Sequence, residues 1–228
     1  MGTMVAIRRS YDALVDARTR CVACPSLTNP SAVDGGVFDS DRIGPYTRWE
    51  GRLDSPLVVI AQDFSDLDTF RRLEDWPGAG VPTNLALVEL LAAAGIAISP
   101  PRTGTPDDVV FFTNAVLCLK AGTMNSRVSP SCFRACAHRF LKPLIDLLYP
   151  RVVVTLGSSA LYAIRHAYGL VQRPSLRSLL ASRTSFVLPS GIKVFPLCHP
   201  SPVVQRTFRG MAEQRADWAR VSHALHEV

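Results

Sequence analysis

The chain has 228 residues, enough for one domain with a sizeable hydrophobic core. Hydrophobic residues make up 47% and charged residues 19%, which excludes intrinsic disorder, and no apolar run reaches the roughly 18 uncharged residues that a membrane-spanning helix needs. The 25 Lys and Arg against 19 Asp and Glu give a net charge of +6, which favours nucleic acid only weakly, because an Arg-rich chain can simply reflect the base composition of its gene.

The predicted elements begin with an N-terminal segment, residues 1–56, whose irregular stretch from Pro25 to Pro56 predicts an ordered appendage rather than core. Four short apolar runs follow, and they are continuous rather than alternating, as expected for parallel strands covered on both faces. These predicted strands are Leu57–Gln62, Val109–Val116, Arg151–Leu156 and Ile192–Cys198.

Helical patterns separate the strands. The predicted helices are Asn84–Ala94, a helix capped by Ser129 before Pro130 and bent at Pro143, Ser158–Tyr168 with Ser158 as its cap, and Met211–His226. Alternation of strands and helices predicts an α/β fold over residues 1–228, with a small doubly wound, four-stranded, mainly parallel sheet and helices on both faces.

Polar side chains stand at the ends of three predicted strands: Asp63 after the first, Asn114 late in the second and His199 after the fourth. Ligands gather at the carboxyl ends of the strands in such sheets. Taken singly, Asp63 fits a turn or helix-cap residue, Asn114 fits an amide bonded to backbone, and His199 fits a half-buried histidine. Their joint placement favours one functional site at this edge of the sheet.

The stretches that carry these residues, AQDFS (61–65), TNAVLC (113–118) and CHPSP (198–202), resemble three motifs of the uracil-DNA glycosylase superfamily, over a region from about Leu57 to Gly210. Such enzymes rotate the target nucleotide out of the duplex. The resemblance implies that Asp63 activates water against the sugar, that His199 donates to O2 of the departing uracil and that Asn114 reads its O4 and N3–H. Gln62 would offer backbone donors nearby.

The first motif departs from the family pattern. Ala61, Phe64 and Ser65 replace Gly, Pro and Tyr, and that Tyr normally crowds the C5 position and excludes thymine. Phe64 or Trp76 would have to close the gap left by Ser65, and Trp76 is a candidate by position for the aromatic that stacks on the flipped base. Release of thymine, hypoxanthine or xanthine is therefore an alternative to release of uracil.

DNA contacts are implied by the residues that follow the third motif. Ser201 matches a phosphate-binding serine, and Val203 aligns with an apolar wedge that fills the gap left by the flipped base. Arg206 and Arg209 are placed for phosphates, with an ordinary surface loop as the alternative.

The six cysteines include a Cys21-x-x-Cys24 motif. The N-terminus lacks the hydrophobic stretch of a secretory signal, which predicts a cytoplasmic protein whose cysteines are thiols or metal ligands. An iron–sulfur branch of the same superfamily has a similar layout, which implies a [4Fe–4S] cluster that ties down the appendage, with zinc as the alternative. The implied ligands are Cys21, Cys24, Cys118 and Cys136. Cys132 lies on the same helix face as Cys136 and is an alternative fourth ligand, whereas Cys198 is predicted to pack in its strand.

These observations predict a monomeric, monofunctional glycosylase that hydrolyses the N-glycosidic bond of uracil in DNA. Water is the expected nucleophile because no lysine falls on a matched motif. The alternatives are a glycosylase for another deaminated or mismatched base and a DNA-binding relative without turnover.

Overall fold

Helices and strands alternate along the chain, as the computed structural model shows for residues 2–40, 42–44, 51–76, 78, 80–98, 109–170 and 174–227. They are α1 (Gly2–Thr19), β1 (Leu27–Thr28), β2 (Leu57–Ala61), α2 (Leu67–Leu73), α3 (Pro82–Ala93), β3 (Val110–Asn114), β4 (Leu119–Lys120), α4 (Pro130–Cys136), α5 (Lys142–Leu148), β5 (Val152–Leu156), α6 (Ser158–Ala167), α7 (Leu176–Ala181), β6 (Phe186–Val187), β7 (Lys193–Leu197), α8 (Pro202–Thr207) and α9 (Met211–His226). Two short 3-10 turns, separated by a kink at Val33, Asp34 and Gly35, occupy Pro30–Gly36, and a π turn occupies Ala137–Leu141.

The central sheet has five strands in the order β3-β2-β5-β7-β6. The first four are mutually parallel and are the four predicted strands, each within one or two residues of its expected bounds. The prediction of four strands was incomplete, because β6 adds an antiparallel edge to β7. At two residues, β6 is too short to give a hydrophobic pattern.

Both faces of the sheet are covered, as the continuous apolar runs predict. Successive residues of β2 point to opposite faces, so that Val58 and Ile60 join one buried cluster and Leu57 and Val59 join the other. The first cluster contains side chains of α1, α4, α5 and α6, and the second contains side chains of α3 and α9. Layers on both faces confirm the α/β fold class.

Most of the predicted helix ends are confirmed, and one predicted N-cap residue is wrong. The Ser129 side chain accepts a hydrogen bond from the Cys132 amide at the start of α4, as predicted. The cap of α6 is Gly157, with φ +90°, and not Ser158, so this helix has no side-chain cap. Pro143 lies inside a helical run, directly after the π turn Ala137–Leu141, where the missing Pro amide removes one α-helical hydrogen bond.

The N-terminal segment includes a helix, α1, that the sequence pattern did not predict. Tyr11 and Val15 of α1 lie in the buried cluster on one face of the sheet, and β1 pairs with β4. Arg18, at the end of α1, is buried and ion-paired with Asp39 at 2.6 Å. Residues 41 and 45–50 of the stretch predicted as irregular lie outside the described residues.

None of the helices in the described ranges is long and apolar enough to cross a membrane.

Candidate active site

Three strands deliver their polar ends to one cavity. Asn114 is the last residue of β3, and Asp63 and His199 follow the ends of β2 and β7 by two residues. All three side chains line the same cavity, whose volume is about 630 Å³. The placement follows from parallel pairing, which puts the carboxyl ends of β2, β3, β5 and β7 at one edge of the sheet.

The carboxylate of Asp63 is held on both of its oxygens. Gln62 Nε2 donates to Asp63 Oδ2 at 2.7 Å, and Lys120 Nζ lies 3.0 Å from Asp63 Oδ1. The side chains of Lys120 and Asp63 are only 5% and 7% exposed, so this ion pair is largely shielded from water. The predicted substrate-binding residue Gln62 thus contacts the acid through its side chain as well as lining the cavity.

Lys120 was missed by sequence reasoning, which placed no lysine near the site. Lys120 belongs to β4, which pairs with β1, and its side chain lines the cavity together with Asp63. The only signal in the sequence is a lysine set in an apolar run, VLCLKAG, shortly after the strand that carries Asn114. Nothing in that pattern indicates which carboxylate the lysine contacts.

The imidazole of His199 is partly buried beside the acid. Burial lowers the pKa of His199 below its usual value of 6.5, and the charge of Asp63 opposes this shift without cancelling it. At neutral pH the ring is therefore neutral and carries one N–H donor. Within the described part of the chain, neither the His199 ring nor the Asn114 amide has a hydrogen-bond partner, so both are available to a ligand.

The aromatic lining differs from the expectation in one respect. Phe64 lines the cavity as predicted and packs against Gly44, where an added Cβ would come within 3.1 Å of the Phe64 ring. Trp76 is not among the lining residues, whereas Phe112 and Phe208, which the sequence did not single out, are. The candidate stacking aromatics are therefore Phe64, Phe112 and Phe208.

Ser65 follows Phe64 in a strained backbone conformation. Its φ is +148°, which residues with a Cβ rarely adopt, and its hydroxyl donates to Asp66 Oδ2 at 3.1 Å. Asp66 in turn caps α2 by accepting from the Thr69 amide. The Ser65 side chain is buried, and the residue lines the cavity.

The residues predicted to contact DNA lie on and around α8. The Ser201 side chain caps α8 by accepting from the Val204 amide, Val203 is 60% exposed, and Arg206 is exposed. Arg209, which the sequence also placed for a phosphate, bonds both carboxylate oxygens of Asp217 through its guanidinium, at 2.5 and 2.9 Å.

Four cysteines surround a second, much smaller cavity of about 10 Å³. Its lining includes the thiols of the predicted ligand set, Cys21, Cys24, Cys118 and Cys136. Burial, reinforced by neighbouring thiols, raises the pKa of Cys24 and of Cys118 to about 12. Among the described residues, no group of three or more His, Cys, Asp or Glu side chains is arranged to hold a single metal ion.

Two further cysteines lie outside that lining. Cys132 contacts the Cys24 thiol and is close to the hydroxyls of Ser26 and Ser129, at 3.8 and 3.7 Å. Cys198 is buried at the end of β7, as predicted. Cys136 therefore lines the cavity with the other three predicted ligands, whereas Cys132 lies outside the lining but near the Cys24 and Cys118 thiols.

The sequence model of the uracil DNA glycosylase superfamily matches residues 79–222, more than half of the chain. The chain belongs to this superfamily. Membership in the uracil DNA glycosylase superfamily indicates a DNA glycosylase, a hydrolase of DNA repair whose partner is DNA. The matched region contains Asn114 and His199, whereas Asp63 and the Cys21-x-x-Cys24 motif precede it.

Proposed function

We propose that the protein is a monofunctional glycosylase that hydrolyses the N-glycosidic bond of uracil in DNA. The observation that carries the proposal is the convergence of Asp63, Asn114 and His199, from three separate strand ends, on one cavity of about 630 Å³. A base inside the duplex cannot reach such a cavity, so the target nucleotide has to rotate out of the stack, at a cost of a few kcal/mol.

Each of the three side chains has a distinct part in the proposed reaction. The Asp63 carboxylate binds a water molecule and accepts its proton as the water oxygen bonds to C1′. The glycosidic bond breaks, and its electron pair leaves with the base. The neutral His199 ring donates its N–H to the developing negative charge on O2, while the Asn114 amide reads O4 and N3–H.

Water remains the proposed nucleophile despite the presence of Lys120 in the site. The nitrogen of Lys120 is held 3.0 Å from the Asp63 carboxylate, and an ammonium paired in this way has no lone pair with which to attack C1′. An amine nucleophile would have to lose a proton first, and Asp63 would then be neutral while the bond to the base breaks.

The damaged base itself has a second candidate identity. Ser65 stands where the family pattern has a tyrosine, and the cavity also has three phenylalanines in its wall. These features favour tolerance of other bases, including thymine, hypoxanthine or xanthine, more than strict exclusion of them.

DNA contacts are proposed for the face that carries α8. Arg206 is exposed and would bind a phosphate, and Ser201 would place α8 beside the same strand. Val203 would enter the space left by the flipped base, since it is the exposed apolar residue of the first turn of α8.

We also propose that Cys21, Cys24, Cys118 and Cys136 hold a [4Fe–4S] cluster, with zinc as the alternative. Four thiols around one cavity are the donor set that such a cluster binds, as thiolates. A cavity of about 10 Å³ holds about one water, so the four side chains would have to turn outward around a cluster. The cluster would join the N-terminal segment to α4 and to the segment that follows β3.

The test is a base-release panel. Labelled duplexes that carry uracil, thymine, hypoxanthine or xanthine opposite each normal base are incubated with the protein, and alkali then cleaves the abasic sites. We expect uracil release by the wild type and by Asp54→Asn, an exposed surface control, and a loss of about 10²–10⁴-fold in Asp63→Asn with DNA binding retained. Release of hypoxanthine or xanthine without uracil would favour the second candidate. Release of no base would favour a binding protein.

A further inference from the structure

Among the cavity-lining residues that the structure describes, Lys120 is the one charged group that the proposed reaction does not use. We propose that Lys120 is a positioning residue, which fixes the Asp63 carboxylate in the orientation that activates water. The inference rests on the proposed function of the site. Its primary observation is the buried contact of 3.0 Å between Lys120 Nζ and Asp63 Oδ1.

The backbone of Lys120 is tied to the same loop that carries the acid. The Lys120 amide donates to the carbonyl of Ser65 at 2.9 Å, and Lys120 forms a bridge with Asp66. On its other side Lys120 pairs with Leu27 of β1. The residues that carry the ammonium and the carboxylate therefore belong to one small unit of hydrogen-bonded backbone.

The Lys120 ammonium has a second fixed partner, the carbonyl oxygen of Met124, to which it donates. The Met124 carbonyl and the Asp63 carboxylate, on different segments, both hold the Lys120 nitrogen in place. The nitrogen can therefore restrain the orientation of the Asp63 carboxylate. Gln62 Nε2 restrains the other carboxylate oxygen at 2.7 Å. A carboxylate has about four acceptor sites and these contacts use two, so the remaining ones are available to a water molecule in the cavity.

Stability alone is a weak reason for such a pair. Removing two charges from water is unfavourable, and apolar residues of similar volume often stabilise the fold as well. The other two lysines, Lys142 and Lys193, form ion pairs on the surface, with side chains 43% and 41% exposed. A lysine buried against the acid of an enzyme site fits the control of that acid better than a general need for ion pairs.

The test is a cycle of Lys120→Met and Asp63→Asn, read as single-turnover rate constants for base excision. Methionine keeps the unbranched stem and removes the ammonium. We expect Lys120→Met to lower the rate constant about 10²-fold, since a carboxylate displaced by about 1 Å loses on that order. Binding to abasic DNA should change less than about twofold. In the Asp63→Asn background the same substitution should change the rate less than about twofold, because Lys120 acts through Asp63.

Two further variants keep the test decisive. Lys120→Gln keeps an N–H donor without the charge and should retain more activity than Lys120→Met. Lys193→Met, which removes an exposed lysine at the opposite end of β7, should match the wild type. If Lys120→Met does not fold, the comparison uses Lys120→Gln and the double variant of Lys120→Met with Asp63→Asn. The double variant removes both charges of the buried pair.

Two results would overturn the inference while leaving the proposed function intact. One is full excision by Lys120→Met. Another is an equal loss from Lys120→Met in the wild-type and Asp63→Asn backgrounds, which would indicate a direct contact with the base. A covalent protein–DNA product trapped by borohydride would overturn both the inference and the proposed hydrolysis by water, because it would make Lys120 the nucleophile. Failure of the wild type to release any base would instead defeat the proposed function.

Discussion

Asp63 and His199 face the same cavity with opposite electrostatic requirements. Asp63 has to carry charge, and the structure surrounds it with an ammonium and an amide donor. His199 has to be a neutral donor, and burial without a hydrogen-bond partner in the described residues lowers its pKa. Both side chains lie at the same edge of the sheet. The difference between their electrostatic environments therefore arises from local contacts and not only from how deeply each side chain is buried.

The lowered pKa of His199 predicts a pH-dependent contribution to stability. In the unfolded chain His199 takes up a proton as the pH falls through about 6.5, whereas in the folded protein it resists protonation until a lower pH. Between these two values the unfolded state binds more protons, so the free energy of unfolding falls as the pH falls. Chemical denaturation of the wild type and His199→Gln from pH 8 to pH 5 measures the difference.

We expect the stability of the wild type relative to His199→Gln to decrease as the pH falls below about 6.5. His166, whose pKa is also lowered by burial, is common to both proteins and cancels in the comparison. His223→Gln serves as the control, since the side chain of His223 is 80% exposed. A stability difference that is independent of pH would contradict the assignment of a buried, neutral His199.

At the scale of elements, α8 is a surface helix held at both ends. None of the residues of α8 is buried, Ser201 caps its start, and the residue that ends the following turn, Arg209, is bonded to Asp217 of α9. Asp217 is buried and also contacts Arg220 at 3.2 Å. Arg209 thus fixes α8 to the body of the protein, and Arg206 is left as an exposed cation on that helix.

The two arginines should therefore respond differently to replacement by methionine. Arg209→Met leaves part of the buried Asp217 carboxylate without a partner and should lower the free energy of unfolding by about 1–3 kcal/mol. Arg206→Met should leave stability unchanged, weaken DNA binding and lower the salt dependence of binding by about one phosphate contact. Thermal denaturation and binding titrations at several salt concentrations measure these effects. Equal stability of the two variants would contradict the anchoring role of Arg209.

Across the whole molecule, the sequence predicted those features that local patterns determine. Continuous apolar runs marked the four parallel strands, and polar residues at their ends marked Asp63, Asn114 and His199. The Lys120–Asp63 pair joins residues 57 positions apart, and no spacing rule connects them. The two-residue strands β1, β4 and β6 were missed because two residues cannot show a period.

The proposed iron–sulfur cluster would tie the N-terminal segment to the sheet, and it gives a prediction for the whole molecule. Pure protein should contain iron and labile sulfide and absorb broadly near about 400 nm. Cys21→Ala with Cys24→Ala should abolish the iron and the colour and lower the melting temperature, because α1 and β1 would lose a covalent link to the β3 end and α4. Base excision should fall less than it does in Asp63→Asn, since the cluster takes no part in the chemistry.

Cys136 and Cys132 provide the sharpest comparison within this prediction. Cys136 lines the cavity with Cys21, Cys24 and Cys118, whereas Cys132 lies outside that lining although its thiol contacts Cys24 and acts electrostatically on Cys118. Cys136→Ser should therefore lose iron, and Cys132→Ser should keep it. Cys198→Ser, at the end of β7, is the control for loss of a buried thiol. Retention of iron in Cys136→Ser with loss in Cys132→Ser would transfer the fourth ligand to Cys132, and a colourless protein that contains zinc would exclude the iron–sulfur cluster.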